Sequence, residues 1–192
     1  MAAYPVPVPA ADVAALAARV RRSPPRAGRT RVVAVDGPSG SGKSTLADAL
    51  AGALGGAAGP VPVVRMDDLY PGWDGLADAV PLLVEGVLEP LARGEPGCYR
   101  RFDWAAGRYA EAHQVPAGDV LVVEGVGSGA RACAPYLALL VWVEAPRAVR
   151  FARAMARDGD AFRPHWQRWA EQEAAHFAAE GTRDRADVHL PT

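Results

Sequence analysis

The sequence predicts an α/β fold: a doubly wound parallel sheet of about five strands, with a helical lid in its C-terminal third. Three observations predict it. Short apolar runs recur at residues 31–36, 62–66, 119–124 and 137–143, and a shorter one at 186–190. Stretches with a helical spacing of apolar residues lie between most of them. The run 119–124 is continuously apolar until its final Glu124, as a strand covered on both faces should be.

The elements follow in order. Residues 1–9 alternate proline with apolar residues and are expected to be extended. Asp12 is placed to cap a helix over 13–22, with Val13, Leu16, Ala17 and Val20 on one face and Arg19, Arg21 and Arg22 at its C-terminal end. That helix is expected to pack outside the core, and the proline-rich stretch 23–28 links it to the first strand. This divides the chain into a leader, 1–28, and a main domain, 29–192. A helix over 44–54 follows the first strand, with Leu46, Ala47, Leu50 and Leu54 as its apolar stripe. The second strand, 62–66, ends in Asp67-Asp68-Leu69-Tyr70. A helix is expected over 79–93, with Pro81 in its first turn and Pro90 disturbing its last. Residues 94–118 read as irregular. Helices at about 146–157 and 163–180 follow the fourth strand.

Composition narrows the class. At 192 residues, half of them hydrophobic, the chain fits one globular domain. A net charge of −1 argues against a general nucleic-acid binder. Cys98 and Cys133 match no metal spacing and read as reduced thiols. No apolar run approaches the roughly 20 residues of a membrane span, and residues 1–9 lack the basic start and apolar core of a signal peptide. The expectation is a cytoplasmic protein with no membrane and no nucleic-acid partner; oligomeric state is left open.

The most specific feature lies between the first strand and its helix. Gly37-Pro38-Ser39-Gly40-Ser41-Gly42-Lys43-Ser44-Thr45 matches G-x-x-x-x-G-K-[ST] in full. Lys43 is the one lysine among 21 Lys and Arg residues. A compact ammonium on a flexible stem suits this slot better than a planar guanidinium. In such a loop the backbone N–H groups of Gly37, Ser39, Gly40, Ser41, Gly42, Lys43, Ser44 and Thr45 surround a nucleotide's phosphates. The lysine reaches the terminal phosphates and the following hydroxyl, Ser44, holds Mg²⁺.

Phosphoryl transfer also needs carboxylates. Glu124 ends the third strand and is followed by Gly125, placing it as a Mg²⁺ ligand, direct or through water. Asp67 and Asp68 end the second strand, and either can be the base for a substrate hydroxyl. Asp36, just before the loop, reads as support. Arg150, Arg153 and Arg157 recur at helical spacing on one face, and Arg163 follows the turn Asp158-Gly159-Asp160.

Taken together, Gly37 to Thr45, Asp67-Asp68-Leu69-Tyr70, Phe102-Asp103-Trp104 and Glu124-Gly125 resemble the uridine kinase and phosphoribulokinase branch of P-loop small-molecule kinases. The resemblance spans roughly residues 31–190. It implies a nucleoside-kinase-like fold using ATP and Mg²⁺, with the γ-phosphate passed to a hydroxyl of a small molecule. It maps the base onto Asp67, the Mg²⁺ ligands onto Ser44 and Glu124, and lid arginines onto Arg153 and Arg157, with Arg163 a third candidate. Arg153 would also touch the nucleotide. Tyr70, Phe102, Trp104, Arg108 and Arg163 fall where the acceptor pocket is expected. Trp166, Trp169, Phe162, His176 and Phe177 look like the helix after the lid, where core packing is the expected role. Two departures stand out. Ala105-Ala106-Gly107 replaces a base-contacting histidine, and the region between the second and third strands looks too short for the hairpin of larger uridine kinases. The alternatives are a cytidylate-kinase-like nucleotide kinase, which would lack Asp67-Asp68-Leu69-Tyr70, and a non-catalytic nucleotide-binding regulatory module. A GTPase would need an Asn-Lys-x-Asp segment, and with Lys43 the sole lysine there is none.

Overall fold

The computed structural model describes residues 9–56 and 60–192, so most of the proline-rich start, expected to be extended, lies outside the described residues. In chain order the strands are β1 (Arg31–Asp36), β2 (Val63–Arg65), β3 (Gly97–Asp103), β4 (Arg108–Val115), β5 (Val120–Glu124), β6 (Leu137–Glu144) and β7 (Val188–Pro191). The helices are α1 (Ala10–Arg22), α2 (Lys43–Leu54), α3 (Leu76–Leu83), α4 (Glu89–Ala92), α5 (Arg147–Asp158), α6 (Trp166–Glu180) and α7 (Thr182–Arg185). Five strands form a parallel sheet in the order β2-β5-β1-β6-β7. The chain reverses its direction of winding at β1, and a ligand site is expected beyond the C-terminal ends of the strands there.

The sheet separates two apolar layers. In β1, Val32 and Ala34 join one layer, while Val33 and Val35 join the other, as alternation along a strand requires. The second layer is closed by α2 through Leu46 and Leu50, and by α1 through Val13, Leu16, Ala17 and Val20. Burying Leu16 and Val20 stabilises this layer by roughly 2 kcal/mol each. The leader helix therefore packs outside the sheet, as expected. Asp12 does not cap it: Pro9 holds the cap position and Asp12 lies in the first turn, where a carboxylate still suits the dipole.

The other layer holds two departures from the sequence reading. The helix expected over 79–93 starts at Leu76 and is not uniform: residues Val84–Leu88 form a wide π turn between α3 and α4. Pro90 has no N–H to donate, and just before it the ladder steps out, with Glu89 N donating to Val84 O. Residues 94–118 are not irregular either. β3 and β4 pair antiparallel, with a register shift between Arg100 and Phe102, so the hairpin thought to be missing is present. It rests on the helix through small residues: a side chain at Gly86 would meet Cys98 O at 2.7 Å. The turn is built by Asp103, whose carboxylate accepts from Ala105 N (3.0 Å) and Ala106 N (2.9 Å). Ala105, Ala106 and Gly107 are therefore the turn itself. Both cysteines are free thiols, and no helix among the described residues is long and apolar enough to cross a membrane.

Candidate active site

The site forms where β1, β2 and β5 end together. Their register aligns Val35 with Glu124 and Arg65 with Glu124. The loop after β1 needs glycine at two tight points. Gly40 has φ +77, and a side chain there would strike Arg150 O at 2.3 Å. Gly42 has φ +98 and turns the chain into α2. Lys43 opens that helix. It is only 8 % exposed, and its Nζ donates to Pro38 O at 3.2 Å.

Next to it, Ser44 Oγ donates to Glu124 Oε1 at 2.9 Å. Glu124 is buried, and its Oε2 is a buried oxygen without a hydrogen-bond partner. Burial pushes this carboxyl above the usual glutamate range, against the pull of the Lys43 ammonium. A hydroxyl and an orphaned carboxylate oxygen are hard donors of the kind Mg²⁺ takes. Among the described residues no three His, Cys, Asp or Glu side chains cluster as a metal cage.

Asp36 is fully buried. It accepts from Gly37 N (2.7 Å), Gly127 N (3.1 Å) and Gly129 N (2.9 Å), tying the start of the phosphate loop to the loop after β5. Burial raises its pKa to about 6, opposed by these three N–H groups and by Lys43.

Ser39 is held at every polar atom. Its N donates to Glu173 Oε1 (2.8 Å), its O accepts from Arg150 Nη1 (3.1 Å), and its Oγ accepts from Trp169 Nε1 (3.0 Å). The same indole N–H lies 3.0 Å from Glu173 Oε1. Residues on α5 and α6 thus grip the phosphate loop from outside.

A cavity of about 480 Å³ opens beside the loop. Ser39, Ser44, Glu124 and Asp67 line it together. Of the two strand-ending aspartates, Asp67 faces this space, while Asp68 is not among its lining residues. Asp68 instead lies near Tyr99, whose Oη donates to it at 3.5 Å, and burial raises its pKa with help from the neighbouring Asp67 charge. The backbone of Asp67 is anchored, its O accepting from Trp104 Nε1 at 2.9 Å.

Tyr70, Trp104 and Arg157 also line the cavity. Arg157 currently forks onto Asp158, with Nε at 2.9 Å and Nη2 at 2.7 Å. Arg153 reaches the loop indirectly. Its Nη1 donates to Thr192 Oγ1 (3.0 Å), which donates to Ser41 O (2.7 Å). Phe102 is buried, edge-on to Trp104 and Tyr109, and does not line the cavity. Arg108 at the hairpin turn and Arg163 before α6 are exposed and do not line it either. The sequence reading missed the role of Glu173 and took Trp169 for core packing; Trp169 is buried, but it also lines the cavity. A Trp and a Glu four residues apart share a helix face, which was the available signal.

No family model matches the chain, and no curated protein matches it. Solved structures do. A provisionally named uridine kinase from Bacillus stearothermophilus is 21% identical with a TM-score of 0.68, over 94% of this chain and 98% of that one. A provisionally named fructose transport system kinase from Silicibacter sp. TM1040 is 26% identical with a TM-score of 0.59, over 93% and 98%. D-glycerate 3-kinase from Cryptococcus neoformans is 16% identical with a TM-score of 0.51, over 89% and 86%. With its strand order and its glycine loop, this chain has the fold of the P-loop kinases.

Proposed function

We propose that the protein is an ATP- and Mg²⁺-dependent kinase that phosphorylates a hydroxyl group of a small molecule. The observation that carries this reading is the meeting of Ser44, Glu124 and Asp67 in one cavity. A nucleotide-binding switch needs the first two but has no use for a carboxylate facing an acceptor space.

In this reading, the loop N–H groups other than that of Ser39, which Glu173 accepts, and the Lys43 ammonium hold the triphosphate. Ser44 and Glu124 would hold Mg²⁺, which would supply neutralisation of the phosphate charge. Asp67 accepts the acceptor's hydroxyl proton as that oxygen forms its bond to the γ-phosphorus. The bond between the γ-phosphorus and the β–γ bridging oxygen breaks, and ADP leaves. Arg157, kept on Asp158 through Nε and Nη2, offers its remaining N–H groups to the transferring phosphoryl group, and Arg153 steadies the loop through Thr192. The test is a panel of hydroxyl-bearing metabolites incubated with ATP and Mg²⁺, reading ADP release and product mass. A phosphate monoester is the expected product, and its loss in Asp67→Asn ties transfer to this carboxylate. Hydrolysis to free phosphate alone, unchanged by every acceptor, would overturn the reading.

A further inference from the structure

The cavity is chemically lopsided. Away from the rim its polar groups are Ser39, Ser44, Asp67 and Glu124 of the transfer machinery and Arg65, which donates to Asp48 at 2.6 Å. The rest is largely ring carbon, from Tyr70, Trp73, Trp104, Phe162 and Trp169. These rings form one continuous surface. Trp73 stacks on Phe162 (centroids 5.3 Å, 13°) and on His165 (4.2 Å, 9°). It also meets Trp104 at 4.7 Å and Trp169 at 6.2 Å. Trp169 packs edge-on to Tyr70 at 4.9 Å.

Three of the four polar tips of this wall are already taken, and among the described residues only the Trp73 indole N–H of the wall has no hydrogen bond. Trp104 Nε1 donates to Asp67 O, Trp169 Nε1 to Ser39 Oγ and Glu173, and Tyr70 Oη to Val126 O at 2.8 Å. The one other charged pair at the rim, Arg157 with Asp158, is bonded to itself. Of the hairpin arginines, Arg108 is exposed at the turn and does not line the cavity, and the other two are spent inside the hairpin. Arg100 donates to Ala110 O and Tyr109 O, and Arg101 to Glu111. The turn replacing the base-contacting position is Ala105-Ala106-Gly107, whose N–H groups face Asp103.

A sugar, polyol or hydroxy acid brings several hydroxyls or a carboxylate to such a wall. Each one buried without a partner lowers affinity by roughly tenfold. A flat apolar ring loses nothing there and gains stacking contacts. We infer that the acceptor is an alcohol carried on a neutral, flat ring poor in hydrogen-bonding groups, an aryl-methanol or aryl-ethanol in chemical class, and not a sugar, polyol or hydroxy acid. This rests on the kinase reading above. The ring lies on the Trp73, Trp104 and Phe162 surface and its side-arm hydroxyl points to Asp67. Transfer forms an O–P bond to that oxygen, breaks the bond from the γ-phosphorus to the bridging oxygen, moves the proton to Asp67, and yields ADP and an arylalkyl phosphate monoester.

The experiment titrates the full chain, with and without ATP and Mg²⁺, against benzyl alcohol, 2-phenylethanol and indole-3-ethanol. The competing set is D-ribose, D-fructose, glycerol, D-glycerate and uridine. Calorimetry reads binding; ADP release and product mass read transfer. The expected result is saturable binding of the aryl alcohols, with kcat/KM at least about tenfold above every member of the competing set. Trp73→Leu and Phe162→Leu should each weaken aryl-alcohol binding by about tenfold while ATP binding holds. Two variants guard against one that misfolds, and the ligand comparison needs neither. Tighter binding or faster turnover of any sugar, polyol, glycerate or uridine overturns the inference, and so does absence of aryl-alcohol binding at millimolar concentration. Aryl-alcohol binding without phosphate transfer to any of the three overturns the acceptor inference, whereas only the absence of transfer to every hydroxyl compound tested overturns the kinase reading, so the two failures are distinct.

Discussion

At the phosphate end of the cavity, Ser39 is fixed by three directional bonds to Glu173, Arg150 and Trp169. At the acceptor end, Trp73 is fixed mainly by the faces and edges of other rings. Directional bonds define a position closely and are costly to leave unmade. Ring packing defines a surface and tolerates exchange of shape at constant volume. The first end is built to hold one ligand geometry, while the second can change its preference through single side-chain replacements.

The largest expected effect strikes the phosphate end. Lys43→Ala should lower phosphoryl transfer by about a thousandfold or more, with the circular dichroism spectrum and melting temperature close to those of the parent. Near-parent turnover in that variant would remove the polar end from the chemistry altogether. Asp67→Asn, at the junction of the two ends, should cut kcat by roughly 10²–10⁴-fold and leave nucleotide affinity within about twofold. If Asp68→Asn gave the larger loss, the base would sit outside the cavity and the division drawn above would fail.

A third prediction concerns Asp36, the polar end's deepest support. Its folded pKa of about 6 lies above the ordinary aspartate value of 3.8, so the folded protein binds this proton more tightly than the unfolded chain. The buried charge destabilises the fold above about pH 6, and that cost is relieved as pH falls toward the unfolded pKa, by up to about 3 kcal/mol. The melting temperature should therefore gain from this group as pH falls from about 6 toward 4, and Asp36→Asn should remove that gain. A parent whose stability fell steadily over this range would show that the three N–H bonds outweigh burial.

A smaller effect links the ends. Trp169→Phe keeps the ring against Tyr70 but deletes the N–H given to Ser39 and Glu173. ATP affinity should drop roughly three- to tenfold, while aryl-alcohol binding changes less; equal losses in both would mean the two ends are one unit. Smallest of all, Arg101→Ala removes an exposed pair with Glu111. It should leave turnover within about twofold and the urea unfolding midpoint close to the parent's, because an exposed ion pair contributes little.

The same contrast governs what could be read from the sequence. The phosphate loop is nine consecutive residues, Gly37 to Thr45, whose roles follow from local spacing. The sheet was equally legible, because strands buried on both faces leave continuous apolar runs such as Val120 to Val123. The grip on Ser39 was not, since Glu173 lies 134 positions away and nothing local marks a helix carboxylate as a backbone acceptor. The hairpin was hidden by its composition. Arg100, Arg101 and Arg108 interrupt the alternation and the register shifts beside Arg101, although Tyr99, Phe102 and Tyr109 are strand formers. The aromatic wall draws on Tyr70, Trp73, Trp104, Phe162 and Trp169, from separate segments that meet only after folding.

The buried, solitary ammonium of Lys43 gives the protein a chemical handle. Amine-directed acylating reagents have a single side chain to modify, and its 8 % exposure shields it from small electrophiles in bulk solution. A nucleotide carrying an activated acyl phosphate would deliver its electrophile straight to that amine. Labelling at one stoichiometric site, blocked by excess ATP, would turn occupancy of the loop into a mass shift readable on the intact chain without knowing the acceptor.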